Sequence, residues 1–290
     1  MSEAGASVTR LRFTKPPPLW RAYARALLSR KPALAASSMQ TIEARAGALA
    51  GTRALAAYRD VCGCPDDGLL PLAYPHVLAM PLHMAMLTAP GFPVRLPGLV
   101  HVANRIERRR GIGARERLDF ACVLPGLRET VRGQEFDLHT EARSAGELVW
   151  SETCTYLARR PGRRDAAAPA ALELPPHGQA AGWTAAAGIG RRYARVSGDR
   201  NPIHLYAATA RLFGYARPIA HGMWSLARVA AQIEASTEQP VGMLEAGFKL
   251  PVSLPALLRL YVWESKDENR YLLTDEASAR PHLSGSYTLS

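Results

Sequence analysis

The sequence predicts an α+β fold made of two similar halves, each with helices first and antiparallel strands after. Three observations carry this. Helix-like and strand-like patterns are segregated within each half rather than alternating, which argues against a parallel sheet. A stretch at 161–178 holds four prolines and two glycines, too many for a long helix or a central strand, so it reads as a linker. And three pieces recur in the same order on either side of it. Tyr58-Arg-Asp-Val-Cys-Gly63 matches Tyr193-Ala-Arg-Val-Ser-Gly198 at Tyr, Val and Gly; Val100–Ile106 can be laid on Leu244–Leu250; and each half closes on a strand-like run, Glu147–Leu157 and Pro281–Leu289.

In chain order, residues 1–39 form a basic extension in which Leu19 to Arg30 reads as a surface helix stopped by Pro32. Residues 40–160 hold a long helix at Tyr74–Leu87, then strands at Leu118–Leu124, Glu135–Arg143 and from Glu147 onward. Residues 179–290 hold a short helix at Ala207–Phe213 and a longer one at Ile219–Glu234. There Met223, Leu226, Ala227, Ala230 and Ile233 recur at helical spacing. Strands follow at Ala256–Trp263 and Tyr271–Ala277.

With 290 residues, 48% of them hydrophobic, the chain can bury a substantial core. No run of about 18 apolar residues signals a membrane span. The net charge of +11 and pI near 9.9 arise either from arginine use in an Ala/Arg-rich chain or from an anionic partner. No finger, RNP or helix-turn-helix signature points to nucleic acid. Cys62 and Cys64 lack zinc spacing, and Cys122 and Cys154 add no partner pair, so no metal is expected. With no secretory signal visible, reduced thiols in a cytoplasmic protein are the expectation.

The run Tyr193-Ala-Arg-Val-Ser-Gly-Asp-Arg-Asn-Pro-Ile-His204 sets an acid, a carboxamide and an imidazole at offsets 0, +2 and +5, stiffened by Pro202. Followed by Ala210-Arg-Leu-Phe-Gly214 and Ile219-Ala-His-Gly-Met223, it resembles the MaoC-like, R-specific enoyl thioester hydratases, also called 3-hydroxyacyl-thioester dehydratases. Leu70–Pro75, Gly98–Val102 and Phe248–Val252 make the chain similar to the two-copy bacterial members, over about residues 40–290. The resemblance implies a double hot dog fold, with an antiparallel sheet wrapped around a long central helix in each half. It also implies a hydro-lyase of fatty acid metabolism that adds water reversibly to a trans-2-enoyl thioester, giving an (R)-3-hydroxyacyl thioester. Coenzyme A or a phosphopantetheine arm would enter as part of the substrate, with no separate cofactor.

Asp199 and His204 match the family's catalytic pair, suited to sharing one water and handling its two protons. Asn201 matches the position that orients water or substrate, and it is also an Asn-Pro turn initiator. Gly222 matches the oxyanion position, where free N–H groups at a helix start favour developing negative charge; a glycine kept small for packing would look the same. His221 beside it reads as a packing or orienting residue. Tyr206 departs from the Asp or Asn of many relatives and cannot cap the helix that follows.

In the first half Cys64 stands at the Asp199 position and Leu69 near the His204 position, which implies a copy without catalysis. Ala79, Met80, Met84, Ala85 and Met86 would shape an acyl pocket or simply fill the core. Arg105, Arg108, Arg109, Arg110 and Lys249 either contact substrate phosphates or form a solvated basic face. Met223, beside Gly222, is expected at the substrate. His101 has no evident role. A hot dog thioesterase and a non-catalytic acyl-carrier or nucleic-acid binding module are the competing classes, and the intact motif argues against both. Two copies in one chain already supply a hot dog pair, with a homodimer as a further option.

Overall fold

The computed structural model describes residues 8–35, 39–160, 179–265, 268–276 and 280–290; the predicted linker and Ala277 lie outside them. The elements in order are β1 (Val8–Arg12), α1 (Leu19–Leu28), β2 (Thr41–Leu49), α2 (Thr52–Cys62), α3 (Tyr74–Leu87), β3 (Leu99–Arg108), β4 (Arg117–Leu124), β5 (Arg128–Thr130), β6 (Gly133–Ser144) and β7 (Glu147–Arg159). The second half continues with β8 (Gln179–Ala185), α4 (Ile189–Ser197), a short 3₁₀ turn (Pro202–His204), α5 (Ala207–Arg211), α6 (Gly222–Thr237), β9 (Val241–Phe248), β10 (Ala256–Ser265), β11 (Glu268–Asp275) and β12 (Pro281–Leu289).

All strands join one sheet in the order β1-β2-β4-β6-β7-β3-β9-β12-β11-β10-β8, with β5 against β6. Outward from the β3–β9 seam the two halves have mirror-image order: β7 answers β12, β6 answers β11, β4 answers β10 and β2 answers β8. Ala103 faces Gly247 across that antiparallel seam. These are the residues that superimpose when Val100–Ile106 is laid on Leu244–Leu250, as a two-fold relation between the halves requires. The helices repeat as well. α2 and α4 pack on each other, and each ends in a left-handed glycine, Gly63 (φ 66°) and Gly198 (φ 78°), a conformation that costs a residue with a Cβ. This is a double hot dog fold.

Each half opens not on a helix but on a strand, β2 or β8, that runs along the far side of β4 or β10. In β2 the inward positions are Ile42, Ala44, Ala46 and Ala48. Alternation written mostly in alanine, a weak strand former, carries little signal in the sequence. α3 lies against β2, β4 and β6, and α6 against β9. Most of their residues are buried; Pro81, which is half-buried, removes one backbone bond from the middle of α3. A single apolar core runs through both halves, from Phe92, Phe136 and Trp150 to Tyr193, Leu226 and Tyr271.

Residues 8–35, set apart in the sequence as an extension, belong to this body. β1 extends the sheet by pairing parallel with β2, and α1 packs on α3.

On β12, a Cβ at Gly285 would collide with the carbonyl of Glu245 and crowd Ala246 Cα at 3.2 Å. Gly285→Ala is therefore expected to lower the unfolding free energy by about 1–3 kcal/mol, read from urea denaturation.

Candidate active site

The site is built where the chain leaves α4. Gly198 turns it out of the helix, the Ser197 hydroxyl accepts the Asp199 N–H at 3.1 Å, and Asp199 Oδ1 accepts the Asn201 N–H at 3.0 Å. Asn201 caps the 3₁₀ turn, its Oδ1 accepting the Ile203 N–H at 3.4 Å, and Pro202 starts that turn. The result brings His204 back beneath the segment leading into α6. There the Ile219 N–H donates to the Ile203 carbonyl at 3.1 Å, and the His204 Nδ1–H donates to the Ile219 carbonyl at 2.8 Å. With Nδ1 so engaged, the neutral ring carries its lone pair on Nε2. α4 is close enough that a Cβ at Gly190 would strike the His204 carbonyl.

His221 completes the cluster. Its ring stacks on His204 with centroids 3.7 Å apart. Its Nε2–H donates to the Asp199 carbonyl at 3.1 Å, and the same atom lies 3.8 Å from Asp199 Oδ2. Burial pushes His221 down to about 3 and also lowers His204. Burial alone would raise Asp199, but the His221 and His204 imidazoles and the Asn201 N–H hold it below the usual carboxylate range. At neutral pH the site therefore presents one carboxylate and two neutral imidazoles. The Asp199 side chain is 31% exposed, so the charge is reachable, whereas His204 and His221 are buried.

Gly222 is the first residue of α6, with His221 as its N-cap, three residues later than the sequence predicts. The shift places the Gly222 N–H among the first-turn donors that no helical carbonyl satisfies. Gly222 is also closely packed, since a Cβ there would lie 2.7 Å from Phe248 Cε1. Met223 is buried in the same turn. α5 begins after Tyr206 with no side-chain cap, as its sequence implies; Tyr206 instead lies exposed beneath the Arg191 guanidinium.

Sequence reasoning missed Tyr23. From α1 its hydroxyl donates to the Gly198 carbonyl at 2.8 Å and accepts the Arg200 N–H at 2.7 Å, holding both sides of the Asp199 peptide. These contacts span about 175 residues of sequence, so no local pattern announces them.

The basic candidates separate. Arg105 is held by Glu107 at 2.7 Å and Glu245 at 3.0 Å, Arg108 by Glu234 and the Val241 carbonyl, and Arg110 by Glu116 and Glu147. They serve the seam and the strand ends. The Lys249 ammonium would lie 3.2 Å from a Cβ at Gly247, beside β9.

In the first half the loop after Gly63 is pinned by Arg59, which pairs with Asp66 and donates to the Leu69 carbonyl at 2.7 Å. Under α3 lies a buried polar group that the sequence did not reveal. Glu152 accepts from His76 Nδ1 at 2.8 Å and from Asn104 Nδ2 at 2.7 Å, while His83 Nε2 meets the Thr140 hydroxyl at 2.8 Å. Burial would raise Glu152, but His76 brings it to about 2; burial would lower His76, but Glu152 raises it. The pair is thus ionic inside the core. His101 stacks between Tyr156 and Phe248, both at 4.7 Å, and burial lowers it to about 4. Among the described residues two groups have metal-ligand chemistry, with donor atoms within 4.8 Å of one another: Asp199, His204 and His221, and His76, His83, Glu152 and Cys154.

A protein-family profile described as a MaoC like domain matches residues 184–279, the segment that carries this site. The chain is 34% identical to 3-hydroxyacyl-thioester dehydratase X of Mycobacterium tuberculosis, over 80% of this chain and 83% of that protein. Among solved structures, HtdX of M. tuberculosis superimposes with a TM-score of 0.73 at 32% identity, covering 86% of this chain and 99% of that one. A further M. tuberculosis protein described as a double hot dog fold superimposes with a TM-score of 0.59 at 15% identity, over 87% and 96% of the two chains, a likeness of fold. The chain belongs to the MaoC-like dehydratases.

Two outcomes are expected. Tyr23→Phe removes both ties to the Gly198–Arg200 backbone and is expected to lower kcat by roughly tenfold or more with KM little changed, read by steady-state kinetics beside an unchanged circular dichroism spectrum. Glu152→Gln is expected to cost about 3 kcal/mol. Glu152 stabilises the fold above its ordinary pKa of 4.5, and that contribution is lost as pH falls towards about 2. His76 stabilises it below 6.5, and that contribution is lost as pH rises through its raised value. Urea unfolding of the wild type should therefore weaken below pH 4.5, and the variant should show a flatter acid limb.

Proposed function

We propose that this chain catalyses the reversible hydration of trans-2-enoyl thioesters to (R)-3-hydroxyacyl thioesters, with Asp199, His204 and the Gly222 N–H as its working groups. One observation carries the reading. A reachable carboxylate and a neutral, tautomer-fixed imidazole stand in one short loop, hydrogen-bonded to the segment whose next turn offers free N–H groups.

In hydration, Asp199 orients a water whose oxygen attacks C3 while His204 Nε2 takes one of its protons. The charge that develops on the thioester oxygen meets the Gly222 N–H and the positive end of α6. His204, an imidazolium beside the Asp199 carboxylate, then returns the proton to C2 and the neutral ring is restored. Dehydration is the same path reversed. Asn201 holds the loop through its Oδ1, which accepts the Ile203 N–H, and would orient the water or substrate through its amide NH2. His221, stacked on His204, holds that ring in its orientation. The chemistry needs no metal or redox group. The coenzyme A or carrier arm belongs to the substrate.

The test is loss of enoyl absorbance on trans-2-enoyl-coenzyme A and on the matching carrier-protein thioesters across chain lengths, with release of free thiol followed in parallel. Asp199→Asn and His204→Gln are each expected to lower kcat/KM by roughly 10²–10⁴-fold. Full activity in both, or thiol release without hydration, overturns the assignment. Because burial holds His204 below its ordinary 6.5 and Asp199 also stays ionised, the base form persists to lower pH than a free imidazole allows. A profile of kcat/KM against pH should remain flat through 6.5 and fall only below it.

A further inference from the structure

α1 has two faces with different fates. Its inner face is spent on the protein: Ala22 is buried, the Leu19 side chain sits where a Cβ of Gly198 would be, and Tyr23 holds the catalytic loop. Its outer face carries Trp20, Ala24, Leu27 and Leu28, spaced to form one stripe. Trp20 is 66% exposed, Leu27 85% and Leu28 82%. These are three of the nine large apolar side chains that the described residues leave exposed, gathered on one ten-residue helix. Single exposed leucines need no explanation; a contiguous stripe with an exposed tryptophan does.

The charges beside the stripe are of one sign. Arg21, Arg25 and Arg30 are exposed, the Arg21 guanidinium lies 5.5 Å from the Trp20 ring centre, and no acidic residue occurs between Glu3 and Glu43. The apolar surface continues past Leu28 into a groove of about 620 Å³ lined by Leu11, Phe13, Ala85, Leu87 and Val94, with Arg25 and Lys31. The outer face thus offers apolar area and cations, with Tyr23 turned inward. A protein interface would also use tryptophan and arginine; what favours lipid is that every charged residue from Leu19 to Lys31 is basic. A surface that supplies phosphate anions above hydrocarbon asks for what this helix presents: tryptophan and leucine to enter the interface and arginine to meet the headgroups.

We propose that the outer face of α1, with the groove beside it, docks the protein on an anionic lipid surface. No helix among the described residues is long and apolar enough to cross a membrane; the attachment is peripheral. Because Tyr23 and Leu19 of the same helix touch the Gly198–Arg200 loop, docking bears on the element that carries Asp199.

The test is sedimentation of the full chain with phosphatidylglycerol vesicles and with phosphatidylcholine vesicles, at low and high salt. The wild type should sediment with phosphatidylglycerol, not with phosphatidylcholine, and be released by salt. Leu27→Glu/Leu28→Glu should lower partitioning by about tenfold or more, the scale expected for withdrawing two leucines from the interface. Trp20→Phe should abolish a blue shift of emission on vesicle addition. Both variants alter exposed side chains, so their melting temperatures should match the wild type. Three results overturn the proposal: a wild type that stays in the supernatant, a double variant that sediments like the wild type through the general +11 charge, or binding through the same leucines to an acidic carrier protein and not to vesicles.

Discussion

Two hydrogen bonds hold the site together: Ile219 N–H to the Ile203 carbonyl, and His204 Nδ1–H to the Ile219 carbonyl. They join a loop that ends α4 to the segment that begins α6. Without them a carboxylate, an imidazole and a helix start would be three separate features. Through them the tautomer of His204, its position near Asp199 and its relation to the Gly222 N–H are set by one piece of backbone. The stacked His221, hydrogen-bonded to the Asp199 carbonyl, closes the arrangement from the α6 side. Gly190, with no room for a Cβ beside the His204 carbonyl, closes it from α4. Preorganisation of this kind is where a static scaffold contributes most to proton transfer.

The same frame occurs in the first half with the opposite outcome. Gly63 ends α2 as Gly198 ends α4, yet the loop beyond it is bound by Arg59 and holds no imidazole. The polar chemistry of that half has moved inside, where His76 and Glu152 form an ion pair beneath α3. A buried pair of this sort stabilises little relative to an apolar replacement, but removing one member leaves an uncompensated charge. It therefore resists piecemeal loss. The two halves remain coupled through the β3–β9 seam and through α6, whose Trp224 donates to the Val61 carbonyl and whose Arg228 donates to the Cys62 carbonyl. The second half carries the proposed reaction groups while both halves carry the packing that positions them.

α1 shows how far a segment's position in the chain can differ from its place in the structure. As sequence it is a basic stretch before the first recognisable element. As structure it lies against α3, reaches the Gly198–Arg200 loop through Tyr23, and leaves its tryptophan and two leucines in solvent. Inner clamp and outer stripe are separated by the 100° step between successive helical residues, so one short helix can address the active site and the surroundings at once.

Much of this protein can be read along the chain. The polar motif from Tyr193 to His204 and the helical spacing of Met223, Leu226, Ala227, Ala230 and Ile233 were legible because they are local: spacing along the chain becomes spacing in space over a few residues. The recurrence of Tyr-x-x-Val-x-Gly was legible because the two halves repeat, and the run of strands after the helices was legible in each half, though not the strand that opens it. Only the tertiary structure decided the rest. β2 and β8 are strands because the sheet edge pairs with them, despite alanine-rich sequences. Arg105 is an ion-pair partner because Glu245 lies across the seam. Tyr23, His76 and Glu152 acquire their partners over separations of 48 to 177 residues, and His221 becomes part of the site because α6 begins where it does. Such contacts are set by how the halves fold against each other, and no periodicity in a linear chain encodes which distant residue will be met.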